Sequence, residues 1–118
     1  MFTTFMKQHA FSEYDFTTPM FPTVEDRSFW ETFPNDECIT LAEAALDYSW
    51  SVIKATDFMA FKACGDRQIM ERPHFDRRRH LTLFVLAELK ENKGRFLPQV
   101  LNGLFAIFRC IHLYLKWF

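Results

Sequence analysis

The sequence predicts an all-α protein, and three observations carry that prediction. Apolar residues recur at three- and four-residue spacing, residues that start and stop helices bracket each such run, and no stretch alternates with period two for long enough to form a strand. The runs are separated by short breaks, which is the pattern of helical hairpins.

The first 21 residues are polar and aromatic, and Pro19, Pro22 and Pro34 punctuate the start of the chain. A short helix is expected over Val24 to Phe33, with Asp26 as its cap and Phe29, Trp30 and Phe33 on one face. Asn35 then offers an N-cap for a helix over Asp36 to Ser49, where Asp36 and Glu37 suit the positive end of the helix dipole. Its apolar residues are Ile39, Leu41, Ala42, Ala45 and Leu46. Thr56 is the expected cap of a third helix, Asp57 to Cys64, with Phe58, Met59 and Phe61 toward the core and Gly65 as a left-handed stop. Pro73 suits the first position of a fourth helix, which runs to about Asn92 and stops at Gly94. Pro98 opens a last helix that continues nearly to Phe118.

The last two helices are apolar almost all round. Between Leu81 and Leu89 only Thr82 and Glu88 interrupt the apolar side chains. From Val100 to Phe118 the polar exceptions are Asn102, Arg109, His112 and Lys116. Such helices must be covered on several sides, and a chain of 118 residues buries too little of its surface to sandwich two of them. More protein is therefore expected against them, in cis or in trans, and self-association through the last helix is one form of it. A membrane span over Phe96 to Phe118 is disfavoured, because Arg109 near its middle adds ~2.5 kcal/mol or more to insertion.

Composition narrows the function classes. With 49% hydrophobic and 25% charged residues the chain is ordinary globular protein, and a net charge of −1 gives no general attraction to nucleic acid. Cys38, Cys64 and Cys110 are odd in number and widely spaced, so they read as reduced, mostly buried thiols and not as a disulfide framework or a zinc site. Lys7 and the acidic residues near the start do not suit a secretion signal, so a cytoplasmic location is expected. Phosphate loops, zinc-protease and nucleophile-elbow patterns are absent, and no cofactor or metal is implied. His74 and His80 are six apart and fall on different helix faces, which makes them poor joint ligands.

Arg77, Arg78 and Arg79 form the strongest local charge feature. Three successive helical residues span about 200° of the wheel, so they cannot all face one ligand, and one of them is expected to pair with Asp76 or Glu71. Glu71, just before Pro73, is expected to cap the helix start or pair with Arg67, Arg77 or Arg78.

The stretch from Phe61 to Gly103 adds a resemblance. The ordered elements in it and at its edges are Phe58-Met59-Ala60-Phe61, Gly65-Asp66-Arg67, Glu71 to Phe75, the arginine run, Leu81 to Glu88, Lys93-Gly94-Arg95-Phe96 and Asn102-Gly103-Leu104-Phe105. Upstream stands Asp26-Arg27-Ser28-Phe29-Trp30. In this order they resemble the helical domain of the heparinase II/III-like polysaccharide lyases. The resemblance implies the first part of an incomplete α/α toroid over residues 22–107, after an N-terminal extension of residues 1–21 and before a divergent tail of residues 108–118. It implies uronate-containing polysaccharide as the substrate of the full-length enzymes, which they cleave by β-elimination. Arg72, Arg78, Arg95 and Asn102 become candidate substrate-binding residues, since guanidinium groups pair with carboxylates in bidentate fashion.

Two departures limit what is carried over. Ile69-Met70 stands where the family usually has a tyrosine, and the last helix lacks the family's Cys-Glu-Glu, Trp and Pro-x-His continuation. No position matches the Asn, His and Tyr that perform elimination in the family. The expectation is a truncated N-terminal fragment of such a lyase, inactive alone, with a small helical interaction module or a membrane-associated helix at residues 96–118 as alternatives.

Overall fold

The computed structural model describes residues 21–117, with side chains as far as Arg109. The expected extension up to Met20, and the side chains of Cys110, His112 and Lys116, lie outside the described residues. All regular structure in the described range is helical, as expected: α1 (Arg27–Glu31), α2 (Glu37–Ala44), α3 (Ala55–Cys64), α4 (Gln68–Glu91) and α5 (Leu97–Trp117). No helix among the described residues is long and apolar enough to cross a membrane.

Helix α4 is the hub. Each of the other four helices packs against it, and among the described residues no other pair of helices is in contact. Its 24 residues make a rod of ~36 Å. Phe84 and Ala87 on α4 are fully buried with Ala42 of α2 and Phe96, which just precedes α5. The two alanines let α2 approach α4 closely. Ile39, Ala45, Tyr48, Trp50, Leu83 and Val100 close around this core.

The start of α4 corrects the expectation. The helix begins at Gln68, and Pro73 is its sixth residue. Asp66 explains the earlier start, because its carboxylate accepts from the Gln68 backbone N–H at 2.8 Å and holds the first turn. Pro73 then removes only the bond to the Ile69 carbonyl, at a residue exposed enough for water to serve it. Glu71 consequently sits within the first turn and forms no hydrogen bond or ion pair through its side chain among the described residues, so the expected cap or arginine pair is not found there.

Helix α2 stops at Ala44, short of the expected Ser49. The chain leaves the helix there so that Tyr48, Trp50 and Ile53 can turn inward. Trp50 carries the junction. Its indole N–H donates to Gln99 Oε1 at 2.7 Å, and Gln99 Nε2 donates to the carbonyls of Leu46 at 2.6 Å and Tyr48 at 3.3 Å. Arg77, 2% exposed, donates through Nη1 to the carbonyls of Ser51 at 3.2 Å and Ala106 at 3.0 Å. One guanidinium thus joins the α2–α3 connector, α4 and α5.

Helix α3 is held least. None of its residues is buried, and Met59 and Phe61 are about half exposed where the sequence placed them in the core. Arg67 covers part of Phe61 as a cation over the ring at 4.6 Å. Its N-terminal cap is Lys54, not Thr56, with Asp57 Oδ2 accepting from the Lys54 N–H at 2.7 Å. Gly65 ends it with φ 74, as expected. Cys64 is exposed for the same reason, against the expectation of burial, whereas Cys38 is buried.

The far end of α4 is tied more firmly. Arg27 of α1 donates to the carbonyls of Leu89 at 2.8 Å and Lys90 at 2.9 Å, serving acceptors that the helix end leaves open. Asp26 serves Thr23, not the helix start. Lys90 pairs with Asp36 at 2.7 Å, and neither Asp36 nor Asn35 caps α2 through its side chain. Asn92 (φ 57) and Gly94 (φ 82) take left-handed conformations and turn the chain into α5. The buried Glu88 carboxylate accepts from the Gly94 N–H at 2.7 Å and the Phe96 N–H at 3.2 Å, which clasps this turn.

Two substitutions test these ties by chemical denaturation. A Cβ on Gly103 would stand 2.5 Å from Trp50 Cη2 and 3.0 Å from Leu81 Cδ1. Gly103→Ala therefore destabilises by about 1–3 kcal/mol through overpacking, although alanine is the better helix former by ~1 kcal/mol. Glu88→Ala strands two backbone donors and costs about 2–3 kcal/mol. Unchanged midpoints for both would overturn this account of the junctions.

Candidate functional site

The first turns of α4 and the α2–α3 connector bound an open groove of about 860 Å³, lined by Ser51, Gln68, Glu71, Arg72, Pro73, Phe75, Asp76 and Arg79. The early start of α4 creates it, since Gln68, Glu71 and Arg72 belong to the helix and not to a loop. Phe75 presents its ring with 62% of its surface exposed, an apolar platform among charged groups.

At the rim lies a polar cluster of Tyr48, Asp76, Arg79 and His80. The Tyr48 hydroxyl donates to Asp76 Oδ2 at 2.5 Å, and Arg79 donates to Asp76 Oδ1 at 2.5 Å. The His80 ring stacks on the Tyr48 ring, with centroids 3.6 Å apart and planes 8° from parallel. His80 Nδ1 lies 2.9 Å from the Asp76 carbonyl and 3.5 Å from its carboxylate. The i, i+4 spacing on α4 brings Asp76 and His80 together, and the exit from α2 at Ala44 delivers Tyr48 onto both.

The electrostatics fit holding better than proton transfer. Burial, and then the hydrogen bond to Asp76, push the Tyr48 hydroxyl from its ordinary 10.0 up to about 12. That same hydroxyl, followed by His80 and Arg79, holds the Asp76 carboxyl below its ordinary range. The tyrosine is thus a poor acid and the aspartate a poor base near neutral pH, the reverse of what general acid–base catalysis requires. Burial, aided by Arg78 and Arg77, lowers His74. Among the described residues no group of three or more His, Cys, Asp or Glu could hold a metal ion.

The residues singled out from sequence do not converge. Arg72 lines the groove. Arg78 donates through Nε to His74 Nε2 at 3.1 Å. Arg95 lies at the other end of α4, bound to Glu91 at 2.7 Å and Glu43 at 3.0 Å. Glu91 is nineteen residues beyond Arg72, which is ~28 Å along the helix. Asn102 donates to Gln99 at 3.3 Å within the Trp50 junction. The expected partner for one arginine of the run is found, since Arg79 pairs with Asp76. The stacking of Tyr48 on His80 had no sequence signal, because the two are 32 positions apart and share no motif.

A second feature is an apolar stripe on α5. Leu97, Leu101, Phe105 and Phe108 fall within an ~80° arc and are 49%, 56%, 72% and 61% exposed. Gly103 and Gln99, against Trp50, occupy the opposite side. The sequence reads this helix as apolar almost all round, and described residues cover only the side that carries Gln99 and Gly103.

No protein-family model matches the chain, and no curated protein matches it.

The cluster predicts an alkaline signature. Because the folded Tyr48 hydroxyl titrates above its unfolded value, the stability it contributes is complete below pH 10 and is lost as pH rises toward about 12. Tyr48→Phe removes that alkaline loss and costs about 1 kcal/mol at pH 7. Ultraviolet titration of tyrosinate with denaturation at pH 7 to 11 reads both, and identical alkaline profiles for the two proteins would refute the coupling.

Proposed function

We propose that this chain is the N-terminal helical portion of a heparinase II/III-like lyase, lacking the elimination machinery and inactive alone. The observation that carries the reading is the uncovered stripe of α5, Leu97, Leu101, Phe105 and Phe108. In an array of helical hairpins each hairpin covers one face of its neighbour, and α4–α5 leaves such a face open at the end of the array. The ordered motifs from Asp26 to Phe105 support the family, and the toroid is the architecture the reading assigns to the hairpins. The Tyr48–Asp76–His80 cluster is a structural clasp beside a groove in this reading, because its pKa directions oppose proton transfer.

Of the candidate substrate contacts, Arg72 fits an acidic polysaccharide best. It borders the open groove beside the Phe75 ring, a setting in which a guanidinium and an aromatic face can hold a carboxylate-bearing sugar. Arg95 and Asn102 serve the fold instead. A cytoplasmic location belongs to the same proposal, and the free thiols of Cys38 and Cys64 accord with it.

The uncovered stripe equally suits a helical interaction module, and an activity assay separates the two. The purified chain is expected to produce no unsaturated uronate from heparin, heparan sulfate or alginate. Co-expressed with the remainder of a heparinase II/III-like lyase deprived of its first helices, it is expected to restore product. Product from the chain alone, abolished by Arg78→Ala or His80→Ala, would overturn inactivity. Failure to restore product while the chain remains folded would count for the interaction module.

A further inference from the structure

We propose that Lys54–Gly65, the segment that forms α3, is a strap that undocks from α4 and melts while the other four helices stay packed. The proposal stands on the attachment of α3 alone and holds whatever the groove binds.

The bonds that finish α3 are internal to the segment. The Lys54 N–H donates to Asp57 Oδ2 at 2.7 Å, the Gly65 N–H to the Phe61 carbonyl at 2.9 Å, and Cys64 Sγ to the Ala60 carbonyl at 3.1 Å. They complete the helix without fastening it to its neighbours. Burial does not fasten it either, since α3 alone of the five helices buries no residue. Even α1, half as long, seats Trp30 and binds the end of α4 through Arg27. The apolar side chains of α3 are spread round its axis and give α4 no single face to hold. Among the described residues α4 is the only helix it meets.

A helix of ten residues is marginal without such a face, because nucleation costs more than so short a run recovers. Undocking α3 therefore melts it, and docking and helix formation are one step. The anchors on either side confine that step to the segment. Before it, Ile53 is buried and Arg77 Nη1 donates to the Ser51 carbonyl at 3.2 Å. After it, Asp66 Oδ1 accepts from the Gln68 N–H at 2.8 Å and begins α4. Between α3 and that second anchor stands Gly65, at φ 74 with nothing within 4 Å of where a Cβ would lie, a hinge in open space.

Ser51 and Gln68 both line the groove, so the strap is fixed at two points of its rim. No residue of α3 lines it, and the lining survives the melting. Extended, Lys54–Gly65 spans up to ~40 Å, against ~15 Å for α3 as a helix. The melted strap is thus long enough to lie along the Gln68–Arg79 stretch of α4, ~17 Å. Docked and melted, it presents two different mouths to whatever enters the groove.

Residue-resolved hydrogen exchange of the full chain, corrected for intrinsic rates, tests this. The amides of Met59 to Cys64 are expected to exchange about a hundredfold or more faster than those around Phe84. Glu88→Ala, at the far end of α4, is expected to speed exchange around Phe84 about thirtyfold or more and to leave α3 unchanged. Trypsin gives a readout that needs no variant. Cleavage after Lys62, inside α3, is expected about tenfold or more faster than after Arg78 or Arg79, which are exposed too but lie within α4. Exchange of α3 in step with Phe84, in the unaltered chain or in Glu88→Ala, overturns the proposal, because the segment then opens only when the whole chain unfolds. Equal cleavage after Lys62 and Arg79 overturns it as well.

Discussion

The placement of Trp50 against Gly103 is the contact on which the arrangement of the chain depends. It requires a glycine on α5, because any larger residue would occupy the space taken by the indole. It also requires α2 to end at Ala44, because a longer helix would carry Trp50 away from α5. Gln99 fixes the indole by accepting its N–H and then donating to two carbonyls of the connector. A buried amide with its oxygen and nitrogen both engaged is a specific device, since half-satisfied it would favour no particular arrangement. Arg77 adds a second tie over the same connector.

From this junction the two ends of α4 diverge in character. At the Glu88 end the turn, α1 and the start of α2 are held by charged groups bonded to backbone: Glu88 to two N–H groups, Arg27 to carbonyls, Lys90 to the Phe33 carbonyl. Such charge-assisted bonds are the stronger kind and define direction. At the Gln68 end the groove is open, α3 buries nothing, and side chains of both signs face solvent. A rigid end and an accessible end on one rod make the accessible end the place where ligand contact is feasible.

Much of the fold was legible because local chemistry agreed with the tertiary result. Gly65 stops α3 where a left-handed residue is needed and Pro98 falls in the first turn of α5, whereas α4 is stopped by the left-handed Asn92 and Gly94 turns the chain two residues later. The all-round apolar character of α5 foretold its uncovered second face. Pro73 misled because the Asp66 carboxylate, by accepting from the Gln68 N–H two residues on, let the helix begin earlier. The arginine run was opaque for a different reason. Arg77, Arg78 and Arg79 have equal propensities, and only the tertiary position of Ser51 and Ala106 makes the first of them interior. Tyr48 and His80 likewise meet only because the α2 exit brings distant segments together. The cluster beside the groove was legible in part, as the Arg79–Asp76 pair, while its aromatic half depended on long-range packing.

The hub arrangement has a consequence for how changes in this protein combine. Among the described residues α1 and α3 meet α4, and neither meets the other or α5. Perturbations placed on α1 and on α3 are energetically independent and sum, whereas those on α2 and α5 meet in the shared core around Phe84 and Phe96. A change on the inward face of α4 touches several partners at once and so multiplies dependence. The chain therefore tolerates variation at its periphery piece by piece, while residues such as Phe84 and Ala87 can change only in concert with what surrounds them.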